Sequence, residues 1–320
     1  MKALHIQLQF ELKKIDTHSI KSVFIGGGTP SSVEVNLYES IFDSLQTYLQ
    51  KDAEITFEAN PNSASFEWLE GIKNLEANRV SFGVQSFDNE KLKFLGRNHT
   101  KEQALTAINN AKKAGFEHIN MDLIYDTSID SFELLKSDLD IVKTLPIDHL
   151  SAYSLTIEEG TKFFKKPQVK VDNLELANFI FDSLKKFGFN QYEISNFAKN
   201  TKAQSKHNFG YWEKEDYLGI GAGAVGTLDN KRYYPLSDVQ EYITTPCRYK
   251  EIEEISLEDN LFEKIFLGLR SNVGVDYNLF NETQQKNIEI LLKENKLIKK
   301  SNKIYNHDFL LTDEIVLFID

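Results

Sequence analysis

Cysteine is nearly absent. Cys247 is the single one in 320 residues, which excludes an intrachain disulfide framework and fits a reducing compartment. Tryptophan and methionine occur twice each and proline six times, so no proline-rich linker or methionine-rich binding face is present. No apolar run reaches the length of a membrane span, and Met1-Lys2-Ala3-Leu4-His5 carries no secretory signal pattern. Basic residues are outnumbered 37 to 48, for a net charge of −11, which disfavours nucleic acid as a partner. The seven histidines are scattered, none at zinc-site spacing, and no Ser/His/Asp or Cys/His set stands out. What remains is an ordinary globular composition, 41% hydrophobic and 27% charged, long enough for one large or two ordinary domains.

The chain is organised around Val23-Phe24-Ile25-Gly26-Gly27-Gly28-Thr29-Pro30. A short apolar run into three glycines reads as a buried parallel strand whose end lets backbone approach a ligand. Ser31 and Glu34 fit a capping box, which predicts a helix over 31–50. Ahead of this turn, residues 3–14 read as a helix. Strands follow at 54–61, 79–86, 118–125 and 149–156, with helices at 65–77, at 101–114 (capped by Thr100 and Gln103, stopped by Gly115) and from Asp130 and Glu133 to Thr144. This alternation predicts parallel strands with helical crossovers. Gly27, Glu58, Gln85 and Asp122 fall at or near strand ends, the active face of a (β/α) barrel.

Beyond residue 160 the pattern changes. A helix from Asp172 and Glu175 to Gly188 precedes one more strand at 191–197. A polar–aromatic cluster, His207-Asn208-Phe209-Gly210-Tyr211-Trp212, is followed by the glycine-rich Tyr217–Ala224. The GxGxG within it lacks the strand–helix and acidic context of a dinucleotide site. Helices at 259–270 and 281–295, a hairpin at Ser301-Asn302 and a last helix from Thr312 suggest a winged-helix layout, too acidic for DNA. Three segments are expected: a partial barrel over 1–200, a connecting segment over 201–255 and a small domain over 256–320.

Seven motifs in order, IGGGTP (25–30), EANP (58–61), GVQSF (83–87), LGRNH (95–99), NMDLIY (120–125), HNFGYW (207–212) and YLGIGAGA (217–224), resemble the radical-SAM proteins related to oxygen-independent coproporphyrinogen III oxidase. The resemblance is to the HemW-type heme chaperone branch, because the oxidases resemble EVDP and NREQ where this chain has EANP and GRNH. It covers nearly the whole chain and implies an α/β fold, an incomplete (β/α) radical-SAM-type barrel with a C-terminal winged-helix-like domain.

The resemblance also implies roles. Gly27, Gly28 and Thr29 match the turn that receives the methionine amino group of S-adenosylmethionine (SAM), and Glu58, Gln85, Arg97 and Asp122 match its polar contacts. Each of these has a structural alternative, Glu58 and Asp122 as core carboxylates and Arg97 as an ion pair. His207, Asn208, Tyr211 and Trp212 match the element linked to heme. His207 is either an axial iron ligand or a hydrogen-bonded structural histidine beside Trp212.

Departures matter as much. The family holds a [4Fe–4S] cluster by a CxxxCxxC loop, expected upstream of the helix at 3–14. Cys247 alone supplies no such set, so a truncated or mis-started chain is expected, without radical chemistry as it stands. Tyr125-Asp126-Thr127 replaces Tyr-Gly-Leu-Pro, and Val225 stands where histidine is common. The implied function is a cytoplasmic heme chaperone, at most peripheral to the inner membrane, delivering heme to respiratory hemoproteins. The alternatives are a coproporphyrinogen III oxidase and an inactive pseudoenzyme.

Overall fold

A computed structural model describes residues 1–320. In chain order its regular elements begin with α1 (Lys2–Glu11), β1 (Ile20–Ile25), α2 (Glu39–Leu45), β2 (Leu49–Ala59), α3 (Phe66–Asn74) and β3 (Arg79–Gln85). Next come α4 (Asn89–Leu95), α5 (Lys101–Lys113), β4 (His118–Tyr125), α6 (Phe132–Val142), β5 (His149–Ser154) and α7 (Leu174–Lys186). β6 (Asn190–Gln191) and β7 (Asn196–Ala198) complete a seven-stranded sheet of order β1-β2-β3-β4-β5-β7-β6. Strands β2 to β5 are mutually parallel, whereas β7 runs antiparallel to both β5 and β6. The sheet stays open, with β1 and β6 at its edges, as expected of an incomplete barrel.

The chain divides into two compact units. One comprises 22–35 and 54–204, and the other 1–21, 36–53 and 205–320. In the first unit the two faces of the sheet differ in chemistry. Strand residues alternate sides, so Phe57, Val80, Phe82, Ile119, Met121, Leu150 and Ala152 share one face, and all are buried. Helix α5 lies on β3 and β4, and α3 packs beside it. Alternate positions Glu58, Ser81, Asn120 and His149 stand side by side across four neighbouring strands on the other face. The next row places Asp122 opposite Ser151, and Ser151 opposite Asn196. A polar sheet face of this kind is not a second hydrophobic core.

In the second unit, α8 (Lys206–Trp212), β8 (Gly226–Leu228), β9 (Lys231–Pro235), α9 (Val239–Thr244) and β10 (Tyr249–Glu254) follow in order, with the three strands antiparallel. The C-terminal part holds α10 (Leu257–Leu269), β11 (Val275–Asp276), α11 (Glu282–Lys293), β12 (Leu297–Lys300), β13 (Lys303–Asn306) and α12 (Thr312–Ile319). Ile265, Leu269, Val275, Ile288, Leu297, Ile304 and Ile315 form its own core. Three helices with a β11-β13-β12 sheet give the winged-helix layout. No helix is long and apolar enough to cross a membrane.

Three local expectations are corrected. The helix over 31–50 is replaced by two short 3-10 turns, α2, and an early start of β2 at Leu49. Ser31 does not cap, because its hydroxyl meets Ser63 Oγ at 2.6 Å and accepts from Asn60 N at 3.0 Å. The single strand at 191–197 is a tight reversal. Tyr192 N donates to Asn196 O, and the buried Glu193 carboxylate accepts from Ser195 N. Ser131 and Asn173, not Asp130 and Asp172, cap α6 and α7. Asp130 is held elsewhere, by Thr127 N and by the buried Lys91 ammonium at 2.6 Å. The Thr100–Gln103 capping box forms as expected.

Candidate functional site

The glycine turn and the ends of β2, β3 and β4 meet on the polar face of the sheet. Gly27 has φ +97°, a conformation that favours glycine, and its N–H donates to Glu58 Oε2 at 3.2 Å. Thr29 Oγ1 accepts from Asn60 Nδ2 at 3.2 Å, tying the turn to the end of β2. Trp68 Nε1 donates to Val33 O and anchors the segment that follows. A Cβ at Gly28 would meet nothing within 4 Å, so the turn faces open space there.

Gln85 ends β3 with φ +71°, in a register shift against β4. Such a conformation is strained for a residue with a side chain and is sustained only by surrounding structure. That structure is the buried Asp138, which accepts from Ser86 Oγ at 2.6 Å and from Phe87 N at 2.8 Å. The Gln85 amide nitrogen lies beside Gly83, and its Oε1 is buried with no donor. An orphaned acceptor at this position fits a ligand donor.

Arg97 follows Gly96, whose φ of +74° reverses the chain as α4 ends. His99 locks the segment down by meeting Val84 O at 2.9 Å, and burial lowers its pKa. Burial likewise lowers the Arg97 pKa, while the Asp122 charge raises it, so the two side chains sense each other. Asp122 accepts from Asn120 Nδ2 at 2.8 Å. Its pKa is raised to about 6, first by burial and further by the Glu58 charge, against the hydrogen bonds from Asn120 and Ser151. Burial raises the Glu58 pKa too, opposed by the Gly27 N–H. Acceptors at Glu58, Gln85 and Asp122 thus converge with one guanidinium, and the structure brings Gly27, Thr29, Glu58, Gln85, Arg97 and Asp122 to one end of the sheet.

Asp126 has φ +62°. Its carboxylate accepts from Ser154 Oγ at 2.7 Å and Asn173 N at 3.1 Å, so hydrogen bonds hold the left-handed turn that glycine would adopt freely.

The second predicted group lies on α8, in the other unit, capped by Ser205. The His207 and Tyr211 rings meet edge to face at 4.8 Å, and Tyr211 meets Tyr217 the same way. Tyr211 remains 39% exposed, and burial of its hydroxyl end raises its pKa. Trp212 Nε1 is buried without an acceptor. Asn208 stands in the first turn, its N–H on Ser205 Oγ at 3.3 Å. His207 and Tyr211, one helical turn apart, therefore share a face of α8.

Residues 6–139 match the Radical SAM superfamily. Over 276 residues the chain is 37% identical to the heme chaperone HemW of Lactococcus lactis, covering 83% of this chain and 73% of that protein. The chain belongs to the HemW-type branch of the radical SAM family. The Bacillus subtilis HemW is 31% identical over 303 residues, 90% of this chain and 80% of that protein. Among solved structures, the coproporphyrinogen III oxidase HemN of Escherichia coli superposes with a TM-score of 0.82 at 19% identity, over all of this chain and 82% of that one. That likeness establishes the fold.

Two features escaped the sequence reading. The first is the hydrogen-bonded group Ser81, Asn120, His149, Ser151 and Tyr192 beneath Asp122; the alternation Asn120-x-Asp122 in one strand was the available signal. The second is the glycine-rich segment, where Gln7 Oε1 accepts from Gly221 N at 2.8 Å and Gln7 Nε2 donates to Gly219 O at 3.2 Å. Its backbone is spent on a buried glutamine, not on a phosphate.

Proposed function

We propose that this chain carries heme on the α8 element and hands it to a recipient hemoprotein, with SAM bound at the polar end of the sheet. The observation that carries the reading is the complete His207, Asn208, Tyr211, Trp212 set on one short helix of a HemW-type protein. A partly exposed aromatic pair suits a flat macrocycle, and a neutral imidazole suits its iron. Which hemoproteins receive the heme follows from the resemblance alone, respiratory ones being the expectation. A reducing cytoplasm, at the inner-membrane face, is the compartment this reading implies.

The residues present fit SAM. Glu58 and Asp122 are acceptors for a cationic ligand with ribose hydroxyls, Gln85 Oε1 lacks a donor, and Arg97 suits a carboxylate. Bound there, SAM would supply a sulfonium electrophile, held and oriented by these side chains. The same residues do not fit a [4Fe–4S] cluster. Three thiolates are required, and residues 1–320 contain only Cys247, whose thiol is pushed up by burial. No chemical step is therefore assigned to a cluster.

Heme titration followed in the Soret band tests the chaperone reading. The wild-type chain is expected to saturate with one heme, and His207→Ala to shift the band and weaken binding about tenfold or more. An unchanged spectrum and affinity would remove α8 from the heme site.

A further inference from the structure

Beneath Asp122 lies a chain of buried hydrogen bonds whose direction is fixed at both ends. Asn120 Nδ2 stands 2.8 Å from Asp122 Oδ1 and 2.7 Å from Ser81 Oγ, with Ser151 Oγ farther off at 3.2 Å. An ionised carboxylate only accepts, so the amide group facing Asp122 must be the NH2. The carbonyl Oδ1 of Asn120 then faces His149 Nδ1 at 2.6 Å, and that nitrogen must carry the proton. His149 is 2% exposed, and burial, with the Arg79 and His118 charges, holds its pKa well below the ordinary value. A neutral ring protonated at Nδ1 presents a lone pair at Nε2, where the Tyr192 hydroxyl donates at 2.7 Å. The Tyr192 ring also meets the imidazole edge to face at 5.6 Å. Proton donation thus runs from Tyr192 through His149 and Asn120 to Asp122.

We propose that His149 is a positioning residue. Fixed in one tautomer by Tyr192, it holds the Asn120 amide with its NH2 on Asp122, and so presents the Asp122 carboxylate as an acceptor to the ribose hydroxyls of a bound nucleoside. The ligand half of this statement rests on the SAM reading above; the positioning half does not. Without the ring, Asn120 Oδ1 keeps only Ser151 Oγ at 3.4 Å, and the amide is free to rotate its carbonyl toward the carboxylate. Charged groups facing Asp122 are Glu58 and Arg97. Neither belongs to the relay.

Two measurements on the full chain test it. The first follows the Asp122 carboxyl by carbon-13 NMR titration without ligand. His149→Phe is expected to move its midpoint upward from about 6. Asparagine at 149 keeps a donor one bond from Cγ, where Nδ1 was, so His149→Asn is expected to leave the midpoint nearly in place. Tyr192→Phe is expected to move it upward by less, and it carries the test should His149→Phe not fold. An unmoved midpoint in both phenylalanine variants overturns the positioning role.

The second measurement is calorimetric titration with SAM. His149→Phe is expected to weaken binding about three- to tenfold, the worth of one hydrogen bond. In an Asp122→Asn background it is expected to do nothing further. Additive losses would mean that His149 acts elsewhere and would overturn the proposal. A moved midpoint with SAM affinity unchanged in both His149→Phe and Asp122→Asn would leave the positioning intact and reject the ligand reading.

Discussion

The backbone N–H of Gly27 donates to Glu58 Oε2, and this one bond couples the glycine turn to the carboxylate at the end of the neighbouring strand. Gly26 is what permits the approach. A Cβ there would stand 2.6 Å from Phe24 Cε1 and 2.9 Å from Glu58 Oε2, closer than packed atoms tolerate. Gly26→Ala is therefore expected to displace the carboxylate and to weaken SAM binding about tenfold or more, with a stability loss of about 1–3 kcal/mol from overpacking. A Cβ at Gly28 meets no protein atom within 4 Å, so Gly28→Ala is expected to keep wild-type stability within about 0.5 kcal/mol. Calorimetry with SAM on the pair, beside urea unfolding, checks the contrast. Equal losses of stability in both would mean that the close approach at Gly26 is not what constrains the turn.

Asp122 makes the site pH-dependent, and the direction follows from its raised pKa of about 6 against an ordinary 3.8. A cationic ligand prefers the ionised carboxylate. SAM affinity is expected to be full near pH 8 and to fall as pH drops through about 6. Stability runs the other way. Burial favours the protonated form, so this residue's contribution to folding is fully present below the unfolded value of 3.8 and is lost as pH rises through about 6. Asp122→Asn removes the titration, and its unfolding free energy relative to wild type is expected to improve between about pH 5 and pH 8. Urea titrations at the two pH values read this; a difference independent of pH would show that the carboxyl is not held away from water.

The parallel strands were legible because their information is local. His118–Tyr125 and Arg79–Gln85 alternate apolar and polar residues between capped helices, and Thr100 with Gln103 makes its box without outside help. The region after Gly28 was not legible for the opposite reason. Ser31 and Glu34 offer a local cap, but Ser63, Asn60 and Trp68, about thirty residues on, claim Ser31 and the Val33 carbonyl and leave only a 3-10 turn. Asp130 likewise looked like a cap until Lys91, 39 positions earlier, engaged it. The site followed the same rule. Glu58, Gln85 and Asp122 announce themselves as polar residues at strand ends, whereas His149 and Tyr192 are joined by a bond spanning 43 positions that no short pattern encodes.

Gln7 shows how a buried polar residue can decide the conformation of a distant glycine-rich loop. It is fully buried on α1, and all its side-chain bonds are long-range. Oε1 accepts from Gly221 N at 2.8 Å and from the Tyr242 hydroxyl at 2.6 Å, while Nε2 donates to Gly219 O at 3.2 Å. Gly221 has φ +129°, and a Cβ on Gly219 would stand 2.1 Å from Ala224 O, so neither position accepts a side chain in this shape. Gln7→Leu keeps much of the volume and strands three partners, the Gly221 N–H and the Tyr242 hydroxyl fully buried and the Gly219 carbonyl partly so. At roughly 1–3 kcal/mol for each group left unsatisfied, a loss of about 3 kcal/mol or more in urea unfolding is expected. Gln7→Glu separates geometry from polarity. Its carboxylate still accepts from Gly221 and Tyr242 but sets an acceptor against Gly219 O, so it is expected to destabilise less at low pH, where protonation restores a donor, than at neutral pH. The SAM-contact candidates all lie in the other unit, so neither variant is expected to alter their ligand affinity at temperatures where the chain stays folded. A Gln7→Leu chain as stable as wild type would mean that the loop is shaped by its glycines alone.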